Sequence, residues 1–477
     1  MAFAFPNVRH LYAVQEVAQL NRINLAAEKV HLSQPAVTQA VAKLESALSA
    51  RLFDRRPEGM FPTEMGELFL ARVARALGFL KEGERQARRR AGKTEGPGRR
   101  DFHRLTTAVQ LRALVAVART GNFSHAAREL GVSQPAVHRA AKDLERLSGM
   151  VFFDTVRRGV ELTAPAEVFA HNVRLAMAEI EQGHFEMGEY LGRDSTRIRV
   201  GALPLSRSAI LPAAMDALLR DSPGRVQLHC VDGPYAALLR DLRFGALDFL
   251  IGALRDPAPA EDVEQEPLFD DPLAVVAAPG HPLAGQRSVT LEQTLAHPWI
   301  APPRETPSGS YLYEILKIPQ RPDTPVRIVA SSMVLVRGLM MRGDYLTIMS
   351  RRQIEVELAT GALVALPCPL PGSARPIGLT FRRGWQPTPT QARFLDLVRA
   401  QARRAAGDAG GARPVGTGGG AGGRDDGGDG GRDDDGGDGG GDGGRGDGGG
   451  TGGGIGGDRG IGGGTVGGAG GRAGARL

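Results

Sequence analysis

The chain has 477 residues, 59 Lys and Arg against 53 Asp and Glu, and only two cysteines, Cys230 and Cys368. That length allows two or three domains with sizeable cores. Two distant cysteines exclude a disulfide framework and a metal-ligand spacing, and no run is apolar enough to cross a bilayer or patterned as an export signal, so a cytoplasmic protein with no membrane partner is expected. The net charge of +6 is uneven, with 7 Arg and 11 Asp in residues 407–477, so the remaining chain stands at +10 and favours a polyanion partner.

Residues 1–80 and 105–163 read as two copies of one helical module. Ser33-Gln34-Pro35-Ala36-Val37 recurs as Ser133-Gln134-Pro135-Ala136-Val137, 100 residues later, and the interval holds without gaps around it. Leu11, Ala13 and Val17 meet Leu111, Ala113 and Val117; Ala26-Ala27 meets Ala126-Ala127; Leu44-Glu45 meets Leu144-Glu145; Phe53-Asp54 meets Phe153-Asp154; Thr63 meets Thr163. A constant offset over such a span marks a duplicated unit rather than a shared pentapeptide.

In the second copy the stripe Val109, Leu111, Leu114, Val115 and Ala118 predicts a helix over 107–119, stopped by Gly121. Ser124 is expected to cap a short helix ending at Glu129-Leu130. Gly131 then turns the chain, and Ser133 caps a third helix with Pro135 in its first turn, where a missing N–H costs nothing. Helix, helix, tight turn, helix is the shape of a helix-turn-helix whose last helix lies in a DNA major groove. On that helix Val137, Ala140 or Ala141 and Leu144 fall inward. Gln134, His138, Arg139 and Lys142 fall outward, as do Gln34, Thr38, Gln39 and Lys43 in the first copy. Such side chains read base edges or grip phosphate. A two-stranded wing is expected at 52–62 and at 151–162, carrying Arg55-Arg56 and Arg157-Arg158 toward the DNA backbone.

Residues 64–80 read as a helix after the first wing. Residues 81–104, with Arg88-Arg89-Arg90 and Gly96-Pro97-Gly98, read as a basic flexible linker whose charge either touches phosphate or is merely solvated. Residues 164–194 form a linker helix striped with Val168, Phe169, Val173, Leu175, Met177 and Ile180.

From Arg197 the pattern changes to short β-rich runs alternating with helical stripes. Strands are expected at 197–203, 225–231 and 248–252, then at 272–278, 326–330, 345–349, 362–366 and 376–381. Helices are expected between them at 208–219, 235–244, 309–316, 332–341 and 352–358, with a last one at 390–400. This alternation predicts an open α/β fold with parallel strands over 195–404, in two halves: 197–270 plus 360–400, and 271–359. Ligands of such sheets sit beyond the carboxyl ends of strands, where helix N-termini offer free N–H groups to anions. Leu203 to Ser206, and Ser331-Ser332, stand at such places; each serine is open to two readings, helix cap or contact to a small acid. Arg304 is a further candidate to pair with a carboxylate. Residues 405–477 are low in complexity: 38 of the 66 glycines lie in 407–477, almost without apolar residues, so this tail is expected to be disordered.

Ten scattered histidines without HExxH, and no GxSxG or Walker-type loop, point to no catalytic residue, cofactor or metal. An enzyme or a solute-binding protein on the α/β region is the alternative, against which the two attached modules speak.

Ala126-Ala127, Ser133 to Val137, Leu144-Glu145, and in the first copy Leu52-Phe53-Asp54-Arg55 with Thr63, resemble the winged helix-turn-helix of LysR-type transcriptional regulators. Pro272-Leu273, Gly280-His281-Pro282-Leu283 and Gly343 to Ile348 resemble that family's effector domain, so the likeness runs over about residues 8–400. There are departures. Leu20 to Asn24 replaces the family's Gly/Ser turn in the first copy, and the second has Thr155 for the wing arginine and Ala166 for a later glycine. The resemblance implies an effector domain with the fold of type 2 periplasmic binding proteins, whose cleft between two α/β halves holds a small molecule, often an anionic metabolite. It implies double-stranded DNA as partner and a homodimer or homotetramer. The helix after the wing would pair with its twin in another subunit, the other reading being that it only packs on its own module. Family members carry one such module; with two, both could read DNA, or one could be a protein-contact surface.

Overall fold

The computed structural model describes residues 5–93, 101–157, 159–222 and 226–408. The first region holds helices α1 (Val8–Leu20), α2 (Ile23–Lys29) and α3 (Gln34–Leu48), the hairpin β1 (Phe53–Arg56) and β2 (Gly59–Pro62), and the long helix α4 (Glu64–Arg90). After a single turn of helix, α5 (Phe102–Leu105), the order repeats: α6 (Ala108–Thr120), α7 (Phe123–Leu130), α8 (Gln134–Ser148), β3 (Phe153–Val156), β4 (Gly159–Leu162) and α9 (Ala164–Tyr190).

Letters that repeat in the sequence do the same job twice. The Glu45 carboxylate accepts the Leu52 and Phe53 amides at 2.8 and 3.3 Å; Glu145 accepts those of Phe152 and Phe153 at 2.9 and 3.1 Å. Each glutamate thus ties the end of the third helix to the start of its wing. The Thr63 hydroxyl donates to the Arg51 carbonyl and that of Thr163 to the Val151 carbonyl, both at 2.8 Å, and each caps the long helix that follows. The wing turns onto the first helix: Met60 N–H meets Asn21 O at 2.8 Å and Val160 N–H meets Gly121 O at 2.9 Å. A Cβ on Gly59 or Gly159 would stand 2.1 or 2.4 Å from those same carbonyls, so both wing turns require glycine. The cap bond to the helix amide is 2.9 Å at Gly66 and 3.4 Å at Ala166, where a Cβ at the Gly66 position would lie 2.0 Å from Leu52 O.

Several expectations are corrected here. Residues 81–90 are not linker but the last turns of α4: Gly83, Glu84, Ala87 and Arg88 continue its buried stripe, and Arg88 donates to Glu84 at 2.7 Å. Paired charge, not apolar content, carries the helix past Leu80. Residues 94–100 lie outside the described residues, and 102–105 are helical, with Phe102 and His103 buried. Asn122 rather than Ser124 caps α7, accepting the Ser124 and His125 amides at 2.8 and 3.2 Å. α9 does not pack on its own module alone. It lies antiparallel against α4, with the Tyr190 hydroxyl at one end 2.7 Å from the Glu64 carboxylate at the other.

The second region has two mixed sheets. One contains β5 (Arg197–Ala202), β6 (Gln227–Val231), β7 (Phe249–Ala253) and β8 (Val263–Asp271), with α10 (Ile210–Asp221) and α11 (Tyr235–Arg243) between them. The chain then crosses into the other sheet: β9 (Leu273–Ala277), α12 (Leu291–Thr294), β10 (Trp299–Ala301), α13 (Pro307–Ser310), β11 (Val326–Val329), α14 (Met333–Met340), β12 (Leu346–Ser350), α15 (Glu355–Ala359) and β13 (Val364–Ala365). It returns as β14 (Arg375–Arg382), and α16 (Pro389–Asp408) packs on the first sheet. The orders are β6-β5-β7-β14-β8 and β11-β10-β12-β9-β13. β5, β6 and β7, and β10, β11 and β12, run parallel as expected, while β14, β8, β9 and β13 join antiparallel, so both sheets are mixed. β13 pairs with β9, so the second half extends past 360. α16 runs to Asp408, four residues into the expected tail, and 409–477 lie outside the described residues. Among the described residues no helix is long and apolar enough to cross a membrane.

Candidate nucleic-acid interface and effector cleft

α3 and α8 present their inward and outward faces as expected. Val37, Ala40, Val41 and Leu44 are buried, as are Val137, Ala140, Ala141 and Leu144. Gln34, Gln39 and Lys43 are exposed on α3; Gln134, His138, Arg139 and Lys142 on α8. Thr38 is half-buried and its hydroxyl donates to Gln34 O at 3.1 Å. Lys142 is held by Glu145 at 2.8 Å, and burial would push that glutamate's carboxyl up, but Lys142 and the two wing amides hold it below its ordinary value. His138 rests on the Phe123 ring with 5.2 Å between centroids. The caps differ: the Ser33 side chain accepts the Ala36 amide at 3.4 Å, whereas Ser133 sits at the same place without such a bond; Pro35 and Pro135 occupy the first turns.

The first module brings four of its predicted groups together. Gln34, Thr38, Arg55 and Arg56 line one open concavity of about 540 Å³ with Asn21, Arg22 and Asn24, between α3 and the wing. Arg56 lies over Phe61 at 5.2 Å and 3.9 Å from Asp54, which leaves its guanidinium exposed. In the second wing Arg157 is exposed, and Arg158 lies outside the described residues. A cationic rim beside exposed amide and imidazole groups can hold phosphate and hydrogen-bond base edges.

α5 is a clamp that sequence reasoning missed. His103 Nδ1 and its backbone N–H meet the Glu84 carboxylate at 2.7 and 2.8 Å, Arg104 lies over Tyr12 at 4.8 Å, and Phe102 packs on Phe169 at 5.0 Å and Phe152 at 6.5 Å. α5 therefore touches both modules. Glu84, Asp101 and His103 come within reach of one ion, but Glu84 and His103 are committed to each other. The signal that could have found α5 is the apolar Phe102 within a basic stretch.

In the second region the predicted groups scatter. Ser206 is fully buried and its hydroxyl donates to Leu203 O at 2.8 Å, so it closes a turn. Leu203 packs on the backbone of Gly252. Arg304 is turned to Glu314, 2.6 Å away. Ser331 and Ser332 are exposed at the start of α14, where Ser332 accepts the Leu335 amide at 3.4 Å. Where the chain crosses between the halves, Asp271 accepts from Ser350 at 2.9 Å and from Arg375 at 3.4 Å, with Arg352 at 3.7 Å. Arg375 also donates to Ser308 at 2.7 Å, while its buried Nε has no partner. Burial pushes the Asp271 carboxyl up, against the pull of Ser350 and the two arginines. None of Asp271, Ser308, Arg352 or Arg375 has a local sequence signature; the crossing strands assemble them.

Comparison with known proteins places the chain. Residues 8–67 and 109–167 each match the bacterial regulatory helix-turn-helix protein family, lysR type, and residues 191–403 match the LysR substrate binding domain. It is 32% identical over 396 residues to the HTH-type transcriptional regulator GalR of Pseudomonas putida, covering 83% of this chain and 97% of that protein. It is 30% identical over 298 residues to the regulator PcaQ of Agrobacterium fabrum, covering 62% of this chain and 94% of that one. Among solved structures, ArgP from Mycobacterium tuberculosis is similar at 23% identity and a TM-score of 0.46, over 61% of this chain and 96% of that one. With a LysR-type reading helix, wing and substrate-binding domain in one chain, the protein belongs to the LysR family of DNA-binding transcriptional regulators, whose second domain binds an effector.

Proposed function

We propose that both modules read DNA and that a small anionic molecule bound between the two α/β halves modulates the reading. The observation that carries the first part is the concavity in which Gln34, Thr38, Arg55 and Arg56 converge, together with the same framework around Gln134, His138 and Arg139. Gln34, Gln39, Gln134, His138 and Arg139 contact base edges; Ser33, Ser133 and the Pro35 and Pro135 turns set the entry of each helix; Lys43, Lys142, Arg55, Arg56, Arg157 and Arg158 hold phosphate. For the effector, Ser331 and Ser332 and the Arg375–Ser308 pair offer donors from the second half and the crossing strands. Closure of the halves on a ligand would bias one of two arrangements of the regulator. The alternative, in which one module is a contact surface, shares every framework bond and differs only at the outward residues.

A DNase footprint of the full chain on its own upstream region, beside Gln34→Ala and Gln134→Ala, tests the reading. Each variant is expected to lose a separate part of the protected stretch. A variant that protects what the wild type protects removes its module from the reader. Ser332→Ala is expected to weaken the effector response while leaving DNA binding intact; an unchanged response removes that site.

A further inference from the structure

The long helices α4 and α9 meet in reciprocal fashion. A Cβ on Gly83 would stand 2.6 Å from Asn172 Cβ and 3.2 Å from Phe169; one on Gly183 would stand 3.1 Å from Arg72 Cβ and 3.1 Å from Phe69. Gly83, Phe69 and Arg72 are the counterparts of Gly183, Phe169 and Asn172 at the interval of 100 residues. Residue i thus meets j, and the counterpart of i meets the counterpart of j. That is the rule of a two-fold interface between identical subunits, written here inside one chain.

The seam is not indifferent to its partner. Arg72, 4% exposed, donates to Glu179 at 2.9 Å, to Gln182 at 3.0 Å and to Glu186 at 3.0 Å, and Arg75 joins Glu179 at 2.8 Å. The counterparts of Arg72, Glu179 and Glu186 are Asn172, Phe79 and Gln86. Two α9 helices would therefore bury Glu179 and Glu186 opposite Asn172. Two α4 helices would set Arg72 against Phe79 and Gln86 and leave it Glu82, which Arg85 already holds at 2.7 Å. A buried charge deprived of its partner is strongly unfavourable, so the seam selects α4 with α9. α5 pins the same arrangement independently, through Tyr12 and Glu84 on one side and Phe152 and Phe169 on the other.

We propose that one chain alone is a complete two-headed reader, and that it recognises a pair of non-identical half-sites. This rests on the reading that both modules contact DNA. Gln34 and Gln134 are identical, whereas Thr38 faces His138 and Gln39 faces Arg139 in the alignment of the copies. The half-sites then share the base read by the glutamine and differ beside it, with guanine favoured where Arg139 reaches.

The test uses the full chain carrying Cys230→Ser, Cys368→Ala, Glu64→Cys and Tyr190→Cys, the last two at exposed positions where α4 and α9 meet, joined by a short bismaleimide. The probe is a duplex selected by the wild-type chain from a random pool. The expected product has the mass of one chain, protects both halves of a non-palindromic site, and binds one chain per duplex. A cross-linked dimer, no cross-link, or a palindromic site holding two chains overturns the proposal. The two failures are separable. If the cross-link forms within one chain but only one of Gln34→Ala and Gln134→Ala shortens the footprint, the two-module reading has failed and the seam stands. If both variants shorten it while the cross-link joins two chains, the reading stands and the single-chain reader is wrong.

Discussion

The first and second modules share a framework and differ at their turns and outward faces. The turns show it most plainly. The chain enters the left-handed region at Asn21, His31 and Ser49 in the first module, with φ of 54°, 53° and 54°. In the second it does so at Gly121, Gly131 and Gly149, with φ of 61°, 66° and 65°. The backbone path is the constant, and the residue that follows it is not. Side chains at such positions carry local strain that glycine avoids, at the expense of a freer unfolded chain. The glutamate and threonine ties do not vary at all, because each joins two elements that would otherwise part. What differs between copies is therefore where change is tolerated, including the outward faces of α3 and α8.

The comparison can be broken hardest at the seam. Arg72→Ala takes the guanidinium from Glu186, leaves Glu179 only that of Arg75, and is expected to lower stability by about 3 kcal/mol, whereas the counterpart change Asn172→Ala removes a bond within its own helix, Asn172 to Val168 O, and should lower it by about 1 kcal/mol. Urea denaturation of the full chain measures both; equal losses would show the seam to be symmetric in energy as well as in shape. Next come the two glycines. Gly83→Ala drives a methyl to 2.6 Å from Asn172 Cβ and Gly183→Ala to 3.1 Å from Arg72 Cβ, so both are expected to destabilise by about 1–3 kcal/mol, the first more. A neutral Gly83→Ala would mean the helices are not in contact.

The turns sharpen the comparison rather than break it. Gly131→Ala is expected to cost about 1–2 kcal/mol, while His31→Gly at the equivalent turn should change stability by under about 1 kcal/mol, in the stabilising direction. Matching effects of one sign would contradict the shared backbone path. A pH dependence is expected in one copy only. His171 lies against Phe244, and burial lowers its pKa from 6.5 to about 4, with Asp262 opposing and Arg243, Arg174 and Arg382 adding to the fall. The unfolded chain takes up this proton first, so the stability it contributes is full above pH 6.5 and is lost as the pH falls toward about 4. The first module has Ala71 at that place. His171→Ala should flatten this part of the profile in urea midpoints between pH 7 and pH 4.5; an unchanged slope would discharge His171 from it.

Much of this is legible in the sequence because the repeat is gapless and the repeated Glu45/Glu145 and Thr63/Thr163 each make the same framework bonds. The buried and outward faces of α3 and α8 followed from helical spacing, and both two-stranded wings fell where they were expected. The end of α4 was not legible, because Glu84, Arg85, Arg88 and Arg89 read as solvated charge; only the fold brings Glu84 to His103. β8 was missed because Val263 to Asp271 alternates glutamates with Pro267 and reads as loop until β14 pairs with it. β13 was assigned to the wrong half because the choice of strand partner is made by residues more than eighty positions away. In the effector region single serines carried too little information. Ser206 and Ser332 have the same chemistry and similar flanks, yet the first is closed in a turn and the second faces outward.

The seam between α4 and α9 also changes the order of a reaction. When two separate subunits must meet, the fraction assembled depends on how many are present, and dilution takes it apart. Here the partners are joined through residues 91–163 of the same chain, and such a covalent link holds them at an effective concentration on the order of millimolar, whatever the abundance of the protein. Pairing of α4 with α9 then becomes a first-order step of folding. If both modules read DNA, as proposed, their spacing is then set by folding and not by the number of copies in a cell.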